Sequence, residues 1–133
     1  AIKEMPKGVH YLGEKTHDEL QAYYRHCDVN ILPFQKNQIA MYSSPIKNYE
    51  AMIHGTPTVA TDIPDALEYP NVILNSSNHK EFLENIEKAI KLKRDDEYRK
   101  LAVNTGKQNT WHQRVDVIES AIETYCLEKG IQL

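Results

Sequence analysis

Lys47 and Glu50 are the two charged residues whose positions most suggest a functional site. They are three residues apart and come shortly after a Ser-Pro pair. That spacing places both side chains on one face of a helix. Unpaired N–H groups and the helix dipole make a helix start a good phosphate site. A cation in the first turn is otherwise disfavoured, by a few tenths of a kcal/mol to about 1 kcal/mol. The pattern therefore fits a diphosphate beside Lys47 and a ribose or sugar diol on Glu50.

A plainer interpretation explains the same two residues. Lysine and glutamate three positions apart can form a solvated ion pair on an exposed helix face, with no ligand involved. The spacing by itself favours neither interpretation.

The elements around this pair can be read from their boundary residues. Ser44 is expected to cap the helix, and Pro45 suits the first helical position, where a missing N–H costs nothing. Gly55 is expected to leave the helix in a left-handed conformation. The β-branched run 56–60 that follows is typical of a buried parallel strand.

Strand-like and helix-like segments alternate along the first half of the chain. Thr16 and Glu19 form a capping box ahead of a helix that ends near His26. A long polar loop, 35–43, precedes the Ser-Pro helix and suits a binding loop. Strands are expected at 10–13, 28–34, 56–61 and 71–74. This order predicts an α/β fold with a Rossmann-like, doubly wound parallel sheet.

The second half of the chain reads as helical, from about 79 to 129. One amphipathic helix follows residue 78, and a shorter one, near 95–108, is expected to be interrupted at Gly106. The last helix, 110–129, carries an apolar stripe, and Trp111 is expected to be a core or packing residue. The stripe consists of Trp111, Val115, Ile118, Ile122 and Tyr125.

Composition excludes several other classes of function. A length of 133 residues suits one domain, with 41% hydrophobic and 26% charged residues. The net charge of −3 gives no basic surface for nucleic acid. No apolar run is long enough to span a bilayer and no signal peptide is evident, so we expect no membrane span and a cytoplasmic location. The separate Cys27 and Cys126 and the scattered histidines indicate reduced thiols and no metal site.

A family resemblance covers roughly residues 8–90. The Ser-Pro segment resembles the donor-binding helix of GT-B fold, nucleotide-sugar-dependent glycosyltransferases, in their C-terminal domain. Segments 9–13, 20–24 and 28–33 resemble the strand, helix and strand that precede it there, with Cys27 where alanine is common. The residues that match the family's pattern are Ser44, Pro45, Lys47, Glu50, Gly55, Pro57, Val59, Ala60, Thr61 and Asp62.

The resemblance implies a role for each matched residue of the site. Glu50 would bind the ribose of a UDP- or GDP-sugar, and Lys47 would add charge near its diphosphate; these two are the expected catalytic residues. Backbone around the segment 43–46 would face the diphosphate, and Gly13 and Glu14 would lie near the base. The expected donor-binding residues are Gly13, Glu14, Ser43, Ser44, Pro45, Ile46, Lys47 and Glu50. No metal and no cofactor besides the donor substrate are implied.

One residue departs from the family pattern. Many members carry a second glutamate eight residues before the ribose-binding one, and Tyr42 stands at that position here. Members with the Ser-Pro-x-Lys pattern often lack this acid. The departure leaves the nature of the sugar open.

The resemblance also implies that residues 1–133 form one donor-binding domain that is shorter than usual. The family's domain has two further strand–helix units before the segment that starts here, so a truncated, catalytically inactive fragment is expected. The acceptor, a sugar or lipid-linked molecule, would bind an absent N-terminal domain, and the parent enzyme could lie at the inner face of a membrane. Alternatives are a non-catalytic nucleotide-sugar-binding subunit with a separate acceptor-domain partner, and an α/β scaffold domain.

Overall fold

The computed structural model of the chain describes residues 5–131. Within that range it forms three strands and seven helices around a parallel sheet, which confirms the expected α/β class. The strands are β1 (Asn30–Leu32), β2 (Thr58–Thr61) and β3 (Ile73–Ser76). The helices are α1 (His17–His26), α2 (Gln38–Met41), α3 (Ile46–Ile53), α4 (Pro64–Leu67), α5 (His79–Leu92), α6 (Asp96–Lys107) and α7 (Trp111–Lys129).

The sheet has the order β1-β2-β3, and both pairings are parallel. Thr58 pairs with Asn30 on one side and with Ile73 on the other. The central strand is the most buried, and Val59 and Ala60 are fully inaccessible to solvent. This burial on both faces explains the continuous β-branched and small-residue run of β2.

The turn between α3 and β2 follows from one glycine. Gly55 has φ +61, which is the left-handed conformation expected after a helix. Its N–H bonds to the carbonyl of Met52 at 2.8 Å, so the chain leaves α3 tightly and enters β2 within three residues. This turn fixes the position of α3 relative to the sheet.

The hydrophobic core lies between the sheet, α3, α4 and α6. Met52 of α3 and Ala102 of α6 are 1% exposed, and the Tyr98 hydroxyl of α6 donates to the Val72 carbonyl at 2.7 Å. The core cluster comprises Leu32, Ala40, Met52, Ala60, Ile63, Ala66, Val72, Ile73, Tyr98 and Ala102.

Three expectations about the elements were wrong. Residues 10–13 do not form a strand, so the described sheet has three strands instead of four. Residues 35–43, expected to be a loop, contain the short helix α2. Helix α6 continues through Gly106, where a Cβ atom would lie 2.9 Å from the Ile53 nitrogen. The glycine therefore allows close contact between α6 and α3 and does not break the helix.

Helix α7 begins where the sequence predicts, with Thr110 and Gln113 forming a capping box. Its apolar stripe is nevertheless exposed, which contradicts the packing expected of Trp111. That side chain is 77% exposed, and Val115, Ile118, Ile122 and Tyr125 are each at least 47% exposed. Helical spacing marks an apolar face but does not say what covers it.

None of the described helices is both long enough and apolar enough to cross a bilayer.

Candidate functional site

A cavity of about 670 Å³ opens beside the first turn of α3. Helix α1 contributes His17 and Gln21, the end of α6 contributes Gly106, and α7 contributes Trp111, Arg114 and Ile118. Five of its lining residues come from the Ser-Pro segment and α3 and include the predicted ribose ligand, Glu50: Ser44, Ile46, Tyr49, Glu50 and Ile53. A large concave site with few polar groups is the usual form of a small-molecule site.

Glu50 lies at this cavity with its side chain only 12% exposed. The Tyr24 hydroxyl donates to its Oε2 at 3.0 Å, and His17 Nδ1 lies 3.4 Å from its Oε1. Burial, and then the charge of Glu50, raise the pKa of Tyr24, so the phenol keeps its proton and remains a donor. These two contacts hold Glu50 in place. Because each carboxylate oxygen has further lone pairs, Glu50 can still accept hydrogen bonds from a ligand.

The proposed ion pair between Lys47 and Glu50 is not formed. Glu50 contacts Tyr24 and His17 instead, while Lys47 is exposed and forms no ion pair among the described residues. Lys47 also lies outside the cavity lining. The plainer interpretation of this spacing is therefore wrong, and the ligand interpretation of Lys47 gains no direct support.

Ser44 does not cap α3 as the sequence suggested. The N-cap residue is Pro45, which makes no side-chain cap hydrogen bond, and α3 begins at Ile46. The Ser44 hydroxyl instead donates to Asp65 Oδ1 at 2.6 Å. Because no side chain occupies the helix start, its unpaired N–H groups stay available to another acceptor.

Asp65 accepts hydrogen bonds from the polar side chains at the start of α3. It is 9% exposed and also accepts from Asn48 Nδ2 at 2.9 Å and from the Tyr49 hydroxyl at 2.8 Å. Three donors satisfy this buried carboxylate, as buried charge requires. We call Ser44, Asn48, Tyr49 and Asp65 the Asp65 cluster. It joins α3 and the connection before it to α4, which follows β2.

Arg114 of α7 extends this cluster into the cavity. Its Nη2 donates to the Tyr49 hydroxyl at 3.1 Å and to Asn109 Oδ1 at 3.3 Å. The guanidinium also lies 5.7 Å from the centroid of the Tyr49 ring, within cation–π range. Burial chiefly raises the pKa of Tyr49, which keeps the phenol protonated between Arg114 and Asp65.

His54, at the end of α3, also lines the cavity, where it packs against its neighbours from α1. Its Nε2 pairs with Gln21 Oε1, and its ring stacks on Tyr24 at 6.0 Å between centroids. Partial burial lowers the pKa of His54, and Arg25 and Lys93 lower it further. The neutral imidazole therefore packs behind Tyr24, which in turn holds Glu50.

The remaining predicted site residues lie outside the cavity lining. Gly13 and Glu14 are exposed and do not line the cavity, although Gly13 has φ +69. The Ser43 hydroxyl donates to the Ile39 carbonyl at 2.7 Å, so it is occupied within the loop. The structure thus brings together Ser44, Ile46 and Glu50, with Pro45 between them in the chain, and leaves Gly13, Glu14, Ser43 and Lys47 outside the lining.

Sequence reasoning missed Tyr24, Tyr49 and Arg114 as site residues. Tyr49 adjoins Glu50 on α3, and Asp65 follows the carboxyl end of β2, where ligands of parallel sheets collect. That position could have identified Asp65 as a site residue from the sequence. No sequence signal links Arg114 to α3, because only the tertiary placement of α7 brings them together.

No group of three or more histidine, cysteine or acidic side chains that could hold a metal ion occurs within residues 5–131. The arrangement thus offers one carboxylate, one guanidinium and an open helix start around a partly apolar space. This combination can hold an anionic ligand that also carries hydroxyl groups.

Comparison with known proteins gives one match. A family model described as glycosyl transferases group 1 matches residues 1–92, which is more than half of the chain and includes α3. Searches of curated proteins and of solved structures gave no significant match. The matched range contains Glu50 and the Asp65 cluster, and the parallel α/β sheet agrees with a partial Rossmann-like GT-B domain. The chain therefore belongs to the glycosyl transferases group 1 family.

Proposed function

We propose that this chain is the donor-binding domain of a glycosyltransferase that moves a sugar from a UDP- or GDP-sugar to an acceptor. The acceptor would be a sugar or lipid-linked molecule in surface polysaccharide or glycoconjugate assembly. The observation that carries the proposal is Glu50, a largely buried carboxylate held by Tyr24 at a cavity beside an open helix start.

In this proposal the protein acts mainly by positioning the donor. Glu50 accepts hydrogen bonds from the ribose hydroxyls, and the N–H groups at the start of α3, near Ile46, face the diphosphate. Lys47 adds positive charge from the same first turn. Fixed donors and charges of this kind stabilise negative charge on a departing diphosphate without reorganising. Neither a metal nor a further cofactor belongs to the proposal.

The test is thermal unfolding of the 133-residue chain with UDP, GDP and their sugar conjugates, comparing wild type with Glu50→Gln. Ligand at 100 times its Kd should add about 2.7 kcal/mol of stability, a shift of several degrees for a domain of this size. Gln can still accept from Tyr24, so the variant should unfold near the wild-type temperature without ligand. It should lose most of the nucleotide-dependent shift.

Glu87→Gln, an exposed change of the same chemistry on α5, serves as the control and should keep the full shift. If no nucleotide moves the wild-type transition, the donor-site proposal fails and the scaffold alternative is favoured. A nucleotide shift without transferase activity agrees with both an inactive donor-binding fragment and a non-catalytic subunit. Co-purification with a separate acceptor-domain protein would then favour the subunit.

A further inference from the structure

We propose that Arg114 of α7 binds the diphosphate of the donor, as a cation supplied from outside the matched family range. This inference rests on the proposed function, because it assigns a residue to the anionic part of the same ligand. Residues 1–92 match the family, and α7 begins at Trp111.

Arg114 keeps several N–H donors free for a ligand. Both hydrogen bonds of this side chain to the protein use Nη2, one to Tyr49 and one to Asn109. A guanidinium has five N–H donors in a planar fork. Within residues 5–131, Nη1 and Nε donate to no protein acceptor, so three N–H groups remain for a ligand. A fork of this shape matches phosphate oxygens.

The charge of Arg114 is not paired with a carboxylate among residues 5–131. Among the cavity-lining residues identified in that part, Arg114 is the one lysine or arginine, whereas Lys47 lies outside the lining. The cavity therefore holds a positive charge that the protein does not neutralise directly.

Hydrogen bonds connect Arg114 to the start of α3. The Tyr49 hydroxyl accepts from Arg114 and donates to Asp65, and Asp65 also holds Ser44 at the start of α3. This chain of hydrogen bonds fixes the guanidinium relative to the open helix start. Ser44, Ile46 and Arg114 line the same cavity, so one diphosphate could reach both the helix N–H groups and the guanidinium.

The experiment measures binding of UDP, GDP, uridine, guanosine and inorganic pyrophosphate to wild type, Arg114→Gln and Arg114→Lys by calorimetry. Arg114→Gln should weaken the nucleoside diphosphate and pyrophosphate about tenfold, equal to about 1.4 kcal/mol, and change nucleoside affinity less than about twofold. Arg114→Lys should recover part of the loss, since it keeps the charge but not the fork. Arg94→Gln, an exposed arginine outside the cavity, is the control.

The outcomes separate this inference from the proposed function. Nucleoside diphosphate binding that Arg114→Gln leaves unchanged would overturn the role of Arg114 and leave the donor site standing. Pyrophosphate binding that depends on Arg114, without any nucleotide binding, would support the anion site and overturn the proposed donor. Absence of binding by every probe to the folded wild-type chain would overturn both. Arg114 is exposed, so Arg114→Gln should unfold cooperatively like wild type.

Discussion

At the scale of single residues, Asp65 organises the site without facing a ligand in the proposal. Its buried carboxylate accepts from Ser44, Asn48 and Tyr49, and Asn48 is fully inaccessible to solvent. Without the carboxylate the buried Asn48 amide would lose its acceptor, and a buried donor without a partner costs about 1–3 kcal/mol. The Ser44 and Tyr49 hydroxyls lie 3.3 Å apart and could still pair with each other. The stability of the α3 start therefore depends on one side chain from α4.

We predict that Asp65→Ala lowers the free energy of unfolding by about 1–3 kcal/mol, because it leaves the buried amide of Asn48 without an acceptor. Urea unfolding at neutral pH measures the change. Asp116→Ala removes an exposed carboxylate from α7 and should shift stability by less than about 0.5 kcal/mol. Equal effects of the two substitutions would show that the Asp65 cluster contributes nothing specific.

Residue spacing in the sequence predicts only some of the contacts in the site. The pattern Ser-Pro-x-Lys-x-x-Glu predicts a helix, and α3 forms there with Glu50 at the cavity and Lys47 outside its lining. It could not reveal that Ser44 bonds to Asp65 instead of capping α3, because that partner comes from another element. Local rules describe a side chain's options, and tertiary contacts decide among them.

At the scale of elements, the contact between α3 and α6 positions the site. Gly106 lets the two helices approach until a Cβ atom there would lie 2.9 Å from the Ile53 nitrogen and 3.0 Å from Met52 Cβ. The sequence suggested a helix interruption at this glycine, since glycine disfavours helix interiors. Close approach of backbones is the other reason for glycine, and only the three-dimensional packing distinguishes the two.

We predict that Gly106→Ala destabilises the protein by about 1–3 kcal/mol, although alanine ordinarily favours a helix by about 1 kcal/mol. The added methyl group must push α6 away from the α3 backbone, which cannot yield as a flexible side chain could. Chemical denaturation measures the loss, with Lys107→Ala, an exposed neighbour in the same helix, as the control. A stabilised Gly106→Ala variant would mean that the two helices separate easily.

At the scale of the whole molecule, burial is uneven. The sheet and the helices against it enclose a core, whereas α7 leaves Trp111, Val115 and Ile118 largely exposed and buries only Cys126 among its described residues. Alternating segments predicted the parallel sheet well, because β2 and its turn at Gly55 have strong local signals. The three-stranded extent of the sheet and the exposure of α7 depend on which partners each face finds, and sequence periodicity does not contain that information.

We predict that backbone amides in 115–125 of α7 exchange with deuterium at least about 100-fold faster than those of β2, because opening α7 exposes little buried surface. Helix α5, which packs on the sheet through Ala89 and Asn85, is the matched helical control and should exchange slowly. Mass spectrometry of the exchanging chain reports both segments together. Slow exchange throughout α7 would mean that another surface covers its apolar face in solution.

The strand register has a consequence for the order of folding. Thr58 pairs with Ile73 across a shorter stretch of chain than with Asn30, so closing the β2–β3 loop costs less chain entropy. We therefore expect β2, α4 and β3 to come together before β1 joins them. Helix α3 lies within the longer loop between β1 and β2. Tyr24 precedes β1 in the chain, so its hydrogen bond to Glu50 would form only in the last stage of folding.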